Sequence, residues 1–188
     1  MKTNKLLFID ATNRSDSRTL LLANAYLDKY RDDYLIEHLM LNESDIKPLT
    51  AANLAQRSIY NETHDFAHPM YELAKQLLQA DLILIAAPYY DLSFPSILKV
   101  YIENIMCNNL TFFYQDDGKV KGCLKAKRFV YITTSGGYIN DEDHGYTYLK
   151  AIFKMLGVNK SERISAEGLD IDEKTATKNL TIALKKLA

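Results

Sequence analysis

Three short stretches of this 188-residue chain carry side chains suited to holding a ligand. The first, "ATNRSDSRTL" at 11–20, follows the apolar run "LLFI" and leads into "LLLANAYLDKY". Thr12, Ser15, Ser17 and Thr19 supply hydroxyls, while Arg14 and Arg18 supply cations. A loop of this kind between a strand and a helix presents free backbone N–H groups at the positive helix end, which favours a compact phosphate. Arg14 or Arg18 would add a charge-assisted contact. The same residues equally suit a polar turn in which Ser17 is an N-cap, and composition leaves both readings open. The loop has neither GxGxxG nor GxxxxGKS/T, so a pyrophosphate or a magnesium triphosphate is not the expected anion.

The second stretch, "PYYDLSFP" at 88–95, joins the end of an apolar run to a helix-starting proline. Pro88, Tyr89, Tyr90, Asp91 and Leu92 place apolar and aromatic groups where a flat conjugated ligand would lie; two tyrosines lining an ordinary interface is the plainer reading. The third, "TTSGG" at 133–137, ends a strand with Thr134 and Ser135 followed by Gly136 and Gly137. Without Cβ atoms the backbone can approach a ligand closely, and its N–H groups can stabilise negative charge on a ring carbonyl or nitrogen. A simple turn has the same composition. Taken together, one phosphate nest, one aromatic wall and one carbonyl-binding backbone describe flavin mononucleotide (FMN), with its 5′-phosphate in the first loop.

The elements that must position these loops follow from apolar periodicity. "KLLFI" (5–9), "YLIEHLML" (34–41), "DLILIAAP" (81–88), "RFVYITTSGG" (128–137, with its loop) and "SERISAEGL" (161–169) read as strands. Helices are expected over 18–31, 50–60, 66–79, 95–106 and 146–157, the last closed by Gly157, with a final helix in "DEKTATKNLTIALKKLA". That final segment is acidic at its start and lysine-rich at its end, as the helix dipole favours. "LTFFYQDDGKVKG" (110–122) reads as a β-hairpin around Asp117-Gly118. Alternating strands and helices mean an α/β fold with a parallel sheet. Five strands point to a flavodoxin-like three-layer sandwich of order 2-1-3-4-5 with the hairpin inserted, as one domain over 1–188. In such a sheet ligands sit beyond the carboxyl ends of the strands, where all three loops lie.

Composition bounds the remaining possibilities. Apolar and charged fractions of 47% and 25% are those of an ordinary globular protein. A net charge of −1 argues against nucleic acid or an anionic membrane as a partner. No apolar run approaches the ~20 residues of a bilayer span, so a cytoplasmic protein is expected. Cys107 and Cys123 stand alone, which reads as two reduced thiols. His64 and His68 are four apart, but "HDFAHP" lacks the glutamate of HExxH, and no metal is expected.

The chain resembles the FMN-dependent NADH-azoreductase and quinone reductase family of the flavodoxin-like fold. "ATNRSDSRTLLL" is similar to that family's serine-rich phosphate loop, with Ser17-Arg18-Thr19 on its Ser-x-Ser element and Thr12 on an earlier serine. "APYYDLSFPSILKVYIENI" resembles its P-x-Y-N-F-x-x-P-x-x-L-K-x-Y-x-D segment through Pro88, Tyr90, Pro95, Leu98, Lys99 and Tyr101. "LTFFYQDDGKVKGCLKAKRFVYITTSGG" resembles its T-F-x-Y-x-x-x-G hairpin, strand and Gly-Gly loop, and "SAEGLD" also fits. The resemblance implies a homodimer with FMN near the subunit interface. It also implies two-step chemistry, in which NADH or NADPH reduces the flavin and a quinone, azo or nitro compound reoxidises it. Gly136 and Gly137 would meet the flavin ring, and Tyr114 would stand over the acceptor. Since the flavin would carry the chemistry, no catalytic acid or base is assigned.

Asp91-Leu92 stands where the family has Asn-Phe. Tyr138-Ile139 follows the glycines where Ile-His is common, and His144 comes a few residues later. Two other classes remain compatible with the sequence: a non-catalytic electron carrier and a phosphate-ligand binding module.

Overall fold

The computed structural model describes residues 4–141 and 143–187. Strands β1 (Asn4–Asp10), β2 (Tyr34–Met40), β3 (Leu82–Ala86), β6 (Arg128–Thr134) and β7 (Lys160–Ala166) form one parallel sheet. The short strands β4 (Phe112–Tyr114) and β5 (Val120–Gly122) pair antiparallel and apart from it. The sheet runs β2-β1-β3-β6-β7, so the order expected as 2-1-3-4-5 becomes 2-1-3-6-7 once β4 and β5 are numbered.

Each face of the sheet carries its own apolar layer because alternate strand residues point to opposite sides. Leu6, Phe8, Leu84, Val130 and Ile132 face helices α1 (Arg18–Asp28) and α6 (Glu173–Leu187), where Leu22, Tyr26, Leu27, Ala183 and Leu187 pack. Leu7, Ile9, Ile83, Ile85, Phe129 and Tyr131 face α3 (Glu72–Leu78), α4 (Ser96–Ile105) and α5 (His144–Met155). The central strand β3 is buried on both faces along its whole length, which is why "LILIA" reads as a continuous apolar run.

Helix α2 (Ala51–Thr63) begins at a Thr50 capping box and lies outside these layers. It is fixed by Arg57, whose guanidinium donates to the carbonyls of Glu103 (3.1 Å) and Asn104 (2.6 Å) at the end of α4. The helix expected over 66–79 starts later. Pro69–Tyr71 forms a single 3₁₀ turn and α3 follows, because Pro69 lacks the N–H that a continuous helix needs. His68 caps that turn through Nδ1, and His64 ends α2 in a left-handed conformation, so both histidines have structural roles.

The hairpin is attached by backbone. A Cβ on Gly122 would lie 1.9 Å from the carbonyl carbon of Leu156, and Gly157 ends the α5 segment at φ +99°. Leu124 N–H donates to the Leu156 carbonyl at 3.2 Å beside this contact.

Candidate functional site

The carboxyl ends of β1, β3 and β6 open into a cavity of about 560 Å³ lined by Asn13, Arg14, Asp16, Ser17, Arg18, Thr19, Pro88, Tyr89, Tyr90, Thr134, Ser135, Gly136 and Asp170. All three loops singled out in the sequence therefore meet in one place.

The first wall is the start of α1. Ser17 is its N-cap, accepting from Leu20 N–H at 3.2 Å through Oγ. The amides of Arg18 and Thr19, in the first turn, have no intrahelical acceptor and are available to a ligand. Of the two readings the sequence left open, the N-cap is observed, and it leaves unspent the amides that an anion nest would use. Thr19 Oγ1 is buried against Thr134 Oγ1 at 2.6 Å, which ties this wall to the end of β6.

Thr12 does not line the cavity. Its N–H donates to Asp10 Oδ1 at 2.9 Å and its carbonyl accepts from Asn42 at 3.0 Å. It shapes the turn rather than facing the ligand space. Asp10 is buried, and its second oxygen lies 3.0 Å from His38 Nε2.

The second wall is Pro88 with Tyr89 and Tyr90. Beyond them the chain makes a two-residue turn: Tyr90 and Ser93 exchange backbone hydrogen bonds at 3.1 and 2.8 Å, with Asp91 at φ +50° and Leu92 at φ +65°. Two consecutive positive φ values mark a type I′ turn. Asp91 and Leu92 project from it as exposed residues and are not among those lining the cavity. Lys99 pairs with Glu103 one turn on.

The third wall is Thr134, Ser135 and Gly136. It is laced to the segment after β7: Leu169 N–H donates to Ser135 O, Asp170 N–H to Gly136 O and Gly168 N–H to Gly137 O, all near 3.0 Å. A Cβ on Gly136 would lie 2.2 Å from Asp170 Oδ2, so any other residue there would have to push the Asp170 carboxylate aside. Gly137 is exposed and outside the cavity lining. Behind this loop, Asp143 caps α5 through Tyr146 N–H at 2.8 Å and pairs with Arg163 at 2.5 Å. Glu167 accepts from Ile139 N–H at 3.0 Å.

Asn13, Asp16 and Asp170 also line the cavity, though no pattern in the sequence assigns any of them a role. Arg18 donates to Asp170 Oδ1 at 2.6 Å and to the Leu169 carbonyl at 2.7 Å. Two pairing partners 152 residues apart leave no local pattern. Tyr114 lies on β4, 60% exposed, and His144 lines a separate shallow groove with Ser93, Phe94, Lys99 and Tyr148. No described helix is long and apolar enough to cross a membrane.

A family model described as flavodoxin-like fold matches residues 4–188. An FMN-dependent NADH:quinone oxidoreductase of Clostridium beijerinckii is 33% identical, covering 97% of this chain and 96% of that protein. One of the same description from Caldicellulosiruptor saccharolyticus is 31% identical over 97% and 95%. Among solved structures, an azoreductase from Bacillus anthracis str. Sterne superposes with a TM-score of 0.85 at 19% identity, covering 98% and 96% of the two chains. An FMN-dependent NADH-azoreductase from Bacillus anthracis str. Ames Ancestor, in complex with FMN, gives 0.81 at 24% identity, covering 98% and 97%.

Proposed function

This chain belongs to the flavodoxin-like family, in which FMN-dependent NADH:quinone oxidoreductases are its relatives, and we propose that it is itself an FMN-dependent oxidoreductase. It would pass electrons from NADH or NADPH to quinones and to azo or nitro aromatic compounds in two half-reactions. The observation that carries this reading is the convergence in one cavity of the α1 amino end, the Tyr89–Tyr90 wall and the Gly136 backbone.

The residues present fit the cofactor. A cavity of about 560 Å³ lies within the usual range for a small-ligand site. The Arg18 and Thr19 amides, with the Ser17 and Thr19 hydroxyls, would hold one phosphate at the helix end. The absence of a glycine-rich pyrophosphate loop favours a mononucleotide over FAD. Tyr89 and Tyr90 would flank the ring, and the 134–136 backbone would set its depth. Asp91 and Leu92 would border it from the turn tip, Gly137 from the rim, and Thr12 would support the phosphate loop from behind. Bound there, FMN would supply two-electron chemistry between nicotinamide and acceptor. The protein's part is to bind, orient and exclude water from that cofactor.

Tyr114, exposed on the hairpin, would face the acceptor. The exposed apolar residues Leu92 and Tyr90, together with the groove at Phe94 and Tyr148, support a homodimer whose interface borders the site. We read the chain as one domain acting in the cytoplasm.

Steady-state turnover of the FMN-loaded protein with NADH and NADPH, against quinone and azo acceptors, tests the proposal. Acceptor-dependent NADH consumption is expected. A yellow protein inert to both nicotinamides would instead be an electron carrier, and one that cannot take up FMN would be a phosphate-ligand module. Sedimentation of the purified protein should give a dimer at micromolar concentration; a monomer would remove the interface from the site.

A further inference from the structure

Among the described residues, the charged side chains lining the cavity are Arg14, Arg18, Asp16 and Asp170, and their formal charges cancel. Arg18 is moreover committed: its Nη2 is 2.6 Å from Asp170 Oδ1 and its Nη1 is 2.7 Å from the Leu169 carbonyl. Asp170 is itself pinned, with its N–H on the Gly136 carbonyl at 3.0 Å and its Oδ2 filling the space a Cβ at position 136 would occupy. A phosphate at the α1 amino end therefore meets backbone amides and hydroxyls beside an arginine whose charge is already answered.

We infer that Asp170 is a specificity-determining residue which, by neutralising Arg18, holds down the cavity's preference for a phosphorylated over an unphosphorylated flavin. The inference rests on the FMN reading above. Its direction follows from Coulomb's law whatever the pose: a carboxylate in the same cavity disfavours a phosphate, and a released guanidinium favours it. The pair is partly exposed, with side-chain accessibilities of 38% for Arg18 and 66% for Asp170, so its influence is moderate and screened by salt.

The test is the ratio of dissociation constants for riboflavin and FMN, from quenching of flavin fluorescence by the full-length protein. Asp170→Asn keeps the shape of the side chain and its acceptor oxygen while removing the charge. It should tighten FMN roughly two- to fivefold, the range of an exposed charge interaction, and leave riboflavin unchanged. The gain should shrink as ionic strength rises. Asp170→Glu should restore the wild-type ratio. Arg18→Gln in the Asp170→Asn background should abolish the gain, which a purely structural role of Asp170 would not predict. An Asp170→Asn ratio equal to wild type, or FMN weakened alone, overturns the inference while the FMN reading stands. Wild-type protein that binds neither flavin overturns both. Should Asp170→Asn fail to fold, Arg18→Gln in the wild-type background decides. It leaves the Asp170 carboxylate unanswered, so FMN should weaken roughly two- to fivefold with riboflavin unchanged, and the loss should shrink as ionic strength rises. An unchanged ratio or a salt-independent loss overturns the inference.

Discussion

Thr19 Oγ1 lies 2.6 Å from Thr134 Oγ1, so the first turn of α1 and the last residue of β6 share one buried hydrogen bond. Thr19→Val should leave the Thr134 hydroxyl buried without that partner and cost about 1–3 kcal/mol in urea unfolding of the cofactor-free protein. Adding Thr134→Val should cost less than the two single changes summed, because it removes the stranded group. Additive losses would mean the two hydroxyls are not coupled.

Leu92 occupies the left-handed region at φ +65° while 47% exposed in the single chain, so nothing within its own chain compensates the backbone strain. Asparagine tolerates that region, so Leu92→Asn should raise stability by about 0.5–1 kcal/mol. Unfolding at a concentration low enough to dissociate any dimer measures it. In the dimer proposed above Leu92 is covered, so the same change should weaken self-association in sedimentation while it stabilises the dissociated chain.

Asp91, the other residue of that turn, is exposed, and Lys99 is engaged by Glu103. Its carboxylate charge opposes added negative charge on a reduced cofactor nearby. Asp91→Asn should raise the two-electron potential of the FMN-loaded protein, by on the order of 30 mV or less, where ~30 mV equals about 1.4 kcal/mol. Spectroelectrochemistry at fixed pH reads this shift, and an unmoved potential would place the carboxylate outside the cofactor's field.

The two cysteines should behave differently. Cys107 is fully buried, and burial pushes its thiol up to about 11 despite the nearby Arg57 guanidinium. Cys123 is exposed at the base of the hairpin. A thiol reagent at pH 8 should therefore modify one cysteine in the folded protein and two in denaturant. Two fast equivalents in the folded state would contradict the burial.

Asp81 marks the far end of the sheet. Burial works to raise its pKa, but the Lys5 N–H at 2.8 Å and the Lys125 ammonium outweigh it and hold the carboxyl below its usual range. A depressed folded pKa gives stability that is present above the unfolded value of about 3.9 and is lost as pH falls through the folded value. Asp81→Asn should thus be less stable than wild type at pH 7, with the difference closing below about pH 4. A gap that persists into strong acid would indicate lost packing rather than lost charge.

The legible parts of this molecule were those with local causes. "LILIA" is apolar throughout because β3 is covered on both faces, and Pro95 precedes α4 because its ring suits a helix start. The three site loops were legible because an open parallel sheet gathers strand ends at one edge. What escaped depends on distant partners. Asp170 lines the cavity through its bonds to Arg18 and Gly136, and Thr12 stands outside the cavity lining with its backbone bonded to Asp10 and Asn42. The left-handed pair at 91–92 was hidden for another reason: neither residue is glycine or asparagine, the usual sign of such a turn.

The backbone contact between Gly122 and the end of α5 separates what can vary in the hairpin from what cannot. No side chain can be introduced at 122 without parting two main chains, whereas the exposed residues 115–119 bond to one another across the hairpin tip. Descendants of this sequence are free to lengthen or shorten that tip, since exposed loop tips tolerate insertion, while the point of attachment stays put. On the proposal that Tyr114 of this hairpin faces the acceptor, changes in length at that one turn would alter acceptor choice while leaving the parallel sheet untouched.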